Sequence, residues 1–159
     1  MQIGKYCFIV LLIIAVAAQC FAQDYPERSG YLNDYSWIFN REERQALEQE
    51  LKEFHRLTDV QLVIVTVPSL RKEEVGAYTR GLAKEWGVAY KNDSRSILWV
   101  IAPGGLGIEV SSCLEPTLSD PIATKMMEKD VVPKFERGRM GEGIQIGARG
   151  IMSVFEKKN

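Results

Sequence analysis

The sequence predicts an α/β fold, a three-layer αβα sandwich in which a small mixed sheet carries helices on both faces. Apolar residues recur at helical spacing in several segments, and two short apolar runs that do not alternate lie among them, at 62–65 and 97–101. Unbroken runs of this length are typical of strands buried on both faces, which helices must then cover. The chain has 159 residues, 46% hydrophobic and 26% charged, which suffices for one such domain and is short for two.

The first 22 residues are predicted to be a secretory signal peptide. An uncharged run over 7–18 follows a lysine, and at about 1.5 Å per residue it is too short to cross a ~30 Å hydrocarbon core. Cys20 and Ala22 then place small residues at the −3 and −1 positions of a cleavage site. An uncleaved anchor and a lipoprotein site at Cys20 are the alternatives. Cleavage would put the protein in the periplasm or outside the cell, with Cys113 as its one thiol and no transmembrane segment.

The composition excludes several classes of function. The 20 Lys and Arg and the 21 Asp and Glu are scattered along the chain, so there is no basic surface for nucleic acid. One His and three Cys leave little room for a zinc site, and a Ser-His-Asp triad would depend on His55 alone. We expect His55 to be solvated near a helix end and Cys113 to be a small buried hydrophobic residue.

Residues 23–39 are predicted to form an extended aromatic arm packed on a single domain that spans 40–159. Alternatively, the aromatic residues of the arm, which stand at alternate positions, line a groove or contact a membrane-protein partner. The first helix is predicted to begin after Asn40, because Glu43 three residues later completes a capping box. Its buried stripe consists of residues at helical spacing: Leu47, Leu51, Phe54 and Leu57.

A parallel crossover and a hairpin are predicted after this helix. The first apolar strand, a helix over 73–86 and the second apolar strand form one unit, expected to be parallel and right-handed. Glycines and a proline over 103–107 predict a tight reversal, which pairs 97–102 with 107–112 in an antiparallel hairpin.

Two further helices complete the predicted domain. One is predicted to have Asp120 as its N-cap and Pro121 at its first helical position, and to kink at Pro133. The other follows breaks at Gly138 and Gly141. Its glycines recur at spacings of four and three, which indicates close packing against the sheet: Gly143, Gly147 and Gly150.

The predicted hairpin brings two polar loops together at one edge of the sheet. The loop before the first hairpin strand carries Asp93, and the loop after the second carries Glu115 and Asp120. Converging carboxylates and hydroxyls suit calcium, which takes about 6–8 oxygen ligands. A solvated acidic rim is the alternative interpretation.

Stretches from about residue 32 to residue 151 resemble the TPM domain family, which includes thylakoid-lumen photosystem-repair proteins and many exported bacterial proteins. Residues 32–36 (LNDYS) are similar to its V-N-D-x-A motif, and 58–67 (TDVQLVIVTV) to its T-G-x-Q-I-x-V-V-T-V strand. Shorter matches follow in order: W-G at 86–87, I-E-V at 108–110, L-E at 114–115, L-S-D at 118–120 and P-K-F at 133–135.

The resemblance implies a Rossmann-like α/β sandwich and an exported or lumenal location. Members of the family are linked to weak acid phosphatase activity, calcium binding, and the assembly or repair of membrane complexes. The chain departs from the family pattern in three places: D-N-G is replaced by S-R-S at 94–96, G-Y-G by S-S-C at 111–113, and G-D-Y carries Arg139 at its centre. A permanently charged Arg weakens the attraction of a neighbouring divalent cation. We therefore predict that Arg95 pairs with Glu115 or Asp120 in place of a cation.

Together these observations predict an exported binding or assembly module of the cell envelope, with an envelope or membrane protein as partner and calcium as the one candidate cofactor. The alternative is a weak acid phosphatase whose metal polarises phosphoryl oxygens or activates water. The predicted metal ligands are four carboxylates: Asp34, Asp93, Glu115 and Asp120. The residues expected to modify this site are Ser94, Arg95, Ser96 and Arg139, beside the free thiol of Cys113. No catalytic residue is assigned.

Overall fold

A computed structural model describes residues 25–90 and 94–156 of the chain. The predicted signal peptide, residues 1–22, and Asp93 lie outside the described residues. The elements follow in chain order: β1 (Leu32–Asp34), α1 (Arg41–Thr58), β2 (Gln61–Thr66), α2 (Val75–Trp86), β3 (Ser96–Ala102), β4 (Gly105–Val110), α3 (Asp120–Asp130), α4 (Val132–Glu136) and α5 (Met140–Glu156).

The four strands lie in the sheet in chain order, β1-β2-β3-β4. The first three run parallel and β4 runs antiparallel to β3, so the predicted parallel crossover and the hairpin are confirmed. Helices α1 and α2 pack on opposite faces, although both crossovers advance by one strand in the same direction. The two crossovers consequently have opposite hands. One of them therefore departs from the right-handedness usual for parallel crossover connections.

Side chains of the central strands point alternately into two separate cores, which gives the predicted three layers. Helices α1, α3 and α5 cover one face of the sheet, where the strand residues are Leu62, Ile64, Ile97, Trp99 and Ile101. Helix α2 covers the other face, against Val63, Val65, Leu98, Val100 and Ala102. All the residues of β3 are buried, as the unbroken apolar run predicted.

Part of the predicted arm is a strand of the sheet. Residues Leu32–Asp34 form β1, which pairs with β2 at the edge opposite β4, so the extended arm ends before it. The preceding residues pack on α2: the rings of Tyr25 and Tyr78 meet edge to face at 5.2 Å, and Trp86 donates a 2.9 Å hydrogen bond to the carbonyl of Pro26. Packing of the arm on the domain is therefore confirmed.

Helix α1 begins with the predicted capping box. The Asn40 side chain accepts a 2.8 Å bond from the backbone of Glu43, whose carboxylate accepts a 3.0 Å bond from the backbone of Asn40. Leu57 was wrongly included in the buried stripe and is 56% exposed, because the 100° step per residue turns it well away from the face of the other three. His55 is half-buried, and its Nδ1 lies 2.7 Å from the hydroxyl of Tyr31, so it is not a purely solvated imidazole.

The hairpin turn is tighter than predicted. Ala102 pairs with Gly105, and only Pro103 and Gly104 connect the strands, with φ at +89° for Gly104. Pro followed by Gly with positive φ suits a type II turn. The observed partner of β3 is therefore 105–110 and not 107–112. A shift of two residues leaves every side chain on its predicted face of the sheet.

The later helices differ from the predicted boundaries at three points, and Gly141, which was predicted to be a break, lies inside α5. Ser119 is the N-cap of α3 in place of Asp120, and a new short helix, α4, begins where a kink at Pro133 was predicted. A Cβ added to Gly147 of α5 would lie 2.6 Å from the Trp99 ring, whereas one at Gly150 would meet its nearest neighbour, Met126, at 3.5 Å. In the described part of the chain, no helix has the length and apolar character needed to cross a membrane.

We predict opposite effects of alanine at two glycines of α5. Gly147→Ala should lower the free energy of unfolding by about 1–3 kcal/mol, because its methyl group would overlap Trp99 and Val131. Gly150→Ala, the matched control, should be neutral or stabilising by up to about 1 kcal/mol, since alanine favours the helix and space is open. Urea unfolding of both variants measures the difference. Equal stabilities would contradict the packing of α5 on β3.

Candidate functional site

Asp34, the first predicted metal ligand, is a buried carboxylate that holds the connection between β1 and α1. Its side chain is 0% exposed. It accepts a 2.6 Å bond from the Thr66 hydroxyl and 3.0 Å bonds from the backbone N–H groups of Ile38 and Phe39. Nη2 of Arg44 lies 3.5 Å from Oδ2 of Asp34. With both oxygens bonded and no exposed surface, this carboxylate stabilises the fold and is not open to a cation or substrate.

The structure separates Asp34 from the other predicted ligands. Asp34 pairs with Thr66 at the carboxyl end of the parallel strands, and Thr66 pairs with Ile101 of β3. Asp120 lies beside Val110, which pairs with Ile97 at the other end of β3. Four residues of strand at about 3.3 Å each give a separation of roughly 13 Å along β3. Among residues 25–90 and 94–156, no three His, Cys, Asp or Glu side chains are grouped so that they could hold a metal ion.

Two of the predicted carboxylates, Asp120 and Glu115, do interact, and a third acid joins them. Oδ1 of Asp120 accepts a 2.9 Å bond from the backbone N–H of Val110. Burial raises the pKa of Asp120, the hydrogen bond from Val110 opposes that rise, and the charge of Glu115 adds to it. Burial likewise raises the pKa of Glu109, helped by the charge of Asp120 and opposed by Arg80. Glu109 and Asp120 thus form a carboxyl pair that holds a proton more readily than free carboxylates do.

Sequence reasoning missed Glu109, although a signal was available. Glu109 lies between Ile108 and Val110 in an otherwise apolar edge strand, and an isolated acid in such a strand is unusual enough to examine. The acidic cluster of Glu109, Glu115 and Asp120 therefore lies at the amino end of the parallel strands, along β4 and the start of α3.

Arg95 does not pair with the acidic cluster, so that prediction is wrong. Its Nε lies 3.8 Å from Oδ2 of Asp59, in the turn that leads into β2, and both side chains are largely exposed. The reason is the sheet order: Arg95 precedes β3, and the start of β2 is its parallel neighbour, so the backbone of Gln61 donates to the carbonyl of Arg95. Arg139 lies at the α4–α5 junction, 3.2 Å from Glu142, and forms an ion pair there.

The serines of the S-R-S segment form hydrogen bonds with neighbouring loop residues. Oγ of Ser96 accepts a 2.7 Å bond from the backbone of Ala89 and lies 3.0 Å from Oγ of Ser94. The backbone of Ser96 donates to the hydroxyl of Ser111 at 3.1 Å. Cys113 is exposed, with its Sγ 3.4 Å from the carbonyl of Ser94, so its predicted burial is wrong. These polar groups therefore join the two loops at the amino end of the sheet.

A cleft with mostly apolar walls opens at the opposite end of β4, beside the hairpin turn. Its volume is about 490 Å³, within the range typical of ligand sites. The β3–β4 hairpin forms one wall, and α3, α4 and the first residue of α5 form the other. Its principal side chains are Trp99, Leu106, Ile108, Met127, Phe135 and Met140. This is the carboxyl end of β3, the end of the sheet at which open α/β folds bind ligands.

One polar atom of a cleft residue lacks a partner. Trp99 lines the cleft, and its indole Nε1–H is buried without a hydrogen-bond acceptor among the described residues. A buried donor left unpaired costs about 1–3 kcal/mol, so such groups are uncommon. The sequence did not predict this cleft, because its walls come from segments about 30 residues apart. The apolar residues of those segments are equally consistent with burial in the hydrophobic core.

Comparison with known proteins identifies the family of this fold. The family model described as "TPM domain" matches residues 32–154, and the chain belongs to the TPM domain family. Among curated proteins, none matches the chain.

Two solved structures share the fold. The N-terminal domain of a protein from P. gingivalis is 21% identical with a TM-score of 0.76, over 80% of this chain and 83% of that chain. The N-terminal domain of the cg2496 protein from Corynebacterium glutamicum is 10% identical with a TM-score of 0.62, over 85% of this chain and 86% of that chain.

We predict that Asp34 contributes stability in a way that Glu115 does not. Asp34→Asn should lower the free energy of unfolding by about 2–4 kcal/mol, because an amide cannot accept all the bonds that the buried carboxylate accepts. Glu115→Gln, at an exposed position, should change it by less than about 0.5 kcal/mol. Thermal or urea unfolding tests both. A neutral Asp34→Asn would show that this carboxylate is available for another role.

Proposed function

We propose that this TPM-domain protein is an exported binding module that helps to assemble or hold a protein complex of the cell envelope. The cleft beside the hairpin is its docking site for apolar side chains of a partner protein. The observation that carries the proposal is this cleft of about 490 Å³, which combines mostly apolar walls with the polar residues Thr124 and Glu128. A docking site needs apolar surface for affinity and a few polar groups for orientation, and both are present.

The remaining features support the same proposal. The N-terminal sequence suits export, which would bring the cleft to partners in the envelope. Met140 is partly exposed at the mouth of the cleft, and flexible methionine side chains adapt to varied apolar partners. The buried Asp34 and the bonded serines offer no comparable apolar surface.

A weak acid phosphatase is the second candidate function, and one observation favours it. The raised pKa values of Glu109 and Asp120 would keep a proton available at mildly acidic pH, where a carboxylic acid can protonate a leaving group.

The docking proposal is tested by site-specific photo-crosslinking in cells that make the full chain. A photoreactive residue at position 140, at the mouth of the cleft, should form an adduct with one envelope protein. The same probe at position 122, on the exposed face of α3 outside the cleft, should not. A second substitution, Thr124→Trp, should narrow the cleft and reduce the adduct at position 140 at least about fivefold.

Two results would contradict the proposal. Equal adducts from positions 140 and 122, or none from either, would remove the cleft as the docking site. Recovery of the chain in the cytosolic fraction alone would contradict export. Metal-dependent hydrolysis of an aryl phosphate that is lost in Asp120→Asn would instead favour the phosphatase.

A further inference from the structure

The outer edge of β4 carries backbone groups that do not bond to β3. The backbone N–H of Val110 points away from β3, because it donates to Asp120, whereas the N–H of Ser111 donates to Ser96 beside β3. Successive residues of an antiparallel strand alternate in this direction. Leu106 and Ile108, four and two residues before Val110, therefore also direct their N–H and C=O groups outward.

Asp120 closes one end of this edge and leaves the other end open. Its carboxylate bonds to Val110, but no described residue bonds to the outward backbone groups of Leu106 or Ile108. Those two residues also line the cleft with their side chains. The open edge and the cleft are thus one continuous surface, with hydrogen-bonding groups along its rim and apolar side chains on its floor.

The two faces of β4 differ in a way that constrains what could lie alongside it. Leu106 and Ile108 face the cleft, whereas Gly107 and Glu109 face the side covered by α2, where a Cβ at Gly107 would meet Thr79. Glu109 is half-buried beside Asp120, which places two acids where a neighbouring strand would extend. An added strand would therefore meet apolar surface on one face and, on the other, two acids with Arg80 nearby.

We propose that the outer edge of β4 receives an extended segment of the partner as a fifth strand of the sheet. In that segment apolar residues alternate with polar ones, and a Lys or Arg on the polar face lies opposite Glu109. Backbone bonds to Leu106 and Ile108 supply affinity, and apolar side chains entering the cleft supply specificity, as in other cases of strand addition. This inference rests on the proposed docking function and specifies its partner.

Charge complementarity favours this occupant over others. A basic side chain opposite Glu109 would relieve the repulsion between Glu109 and Asp120. A purely apolar small molecule would not.

The test uses synthetic seven-residue peptides in which leucine alternates with threonine and the central polar position is arginine. In an added strand only every second peptide N–H faces β4. N-methylation of that alternate set should weaken binding about tenfold or more, and methylation of the other set should change it less than about twofold. Isothermal titration calorimetry with the mature chain measures both. Equal loss from the two methylated sets, or no binding of the unmethylated peptide at millimolar concentration, would overturn strand addition.

Variants of β4 provide the matched comparison. Ile108→Pro removes an outward N–H without removing a bond to β3, so it should reduce peptide affinity at least about tenfold. Ile108→Val keeps that N–H and should stay within about twofold of the unsubstituted chain. Glu109→Gln should weaken binding of the arginine peptide about two- to fivefold and leave a glutamine analogue unaffected. Far-ultraviolet circular dichroism checks that each variant is folded, and equal affinities of Pro and Val variants would refute the inference.

The outcomes separate this inference from the proposed function. An adduct at position 140 together with equal effects of the two methylated sets would keep the docking site and overturn strand addition. Loss of the adduct would overturn both. Self-association that is abolished by Ile108→Pro would make the occupant a second copy of this chain and overturn the assignment to a different partner.

Discussion

The antiparallel pairing of β4 with β3 determines most of what this molecule can do. Because the chain reverses direction at Pro103 and Gly104, β4 begins at the carboxyl end of the parallel strands and ends at their amino end. The hairpin turn lies beside the apolar cleft at the carboxyl end of β3, and Val110 lies at the amino end beside Asp120. The same pairing leaves the outer edge of β4 as the place where the sheet can be extended.

Two buried or half-buried carboxylates stabilise chain connections at opposite ends of the sheet. Asp34 bonds to the backbone that leads into α1, and Asp120 bonds to the end of β4 and fixes the start of α3. Each carboxylate accepts hydrogen bonds from backbone N–H groups that have no carbonyl partner in the sheet. Acids near strand ends commonly have this role. Each acid follows a polar residue in the sequence, but this similar setting does not make them parts of one site, since they lie at different ends of β3.

The sequence predicted the layers of this fold well because strong local rules agree there. The unbroken run of β3 requires two covered faces, and the Asn40–Glu43 capping box fixes a helix start, so periodicity and capping were sufficient. The site was predicted less well, because it depends on which loop ends meet in space. The hairpin connection is two residues shorter than the predicted pairing required, and the strand beside Arg95 depends on the order of strands in the sheet. The pairing of Arg95 with Asp59 has no local signal.

Amide hydrogen exchange along β4 in the free chain tests the central claim most directly, that the outer edge is open between the hairpin turn and Asp120. Gly107 and Glu109 bond to β3, and Val110 bonds to Asp120, so their amides should exchange slowly. The amides of Leu106 and Ile108 should exchange at least about tenfold faster. Uniform protection from residue 106 to residue 110 would contradict the account, because it would mean that the edge of β4 is already covered.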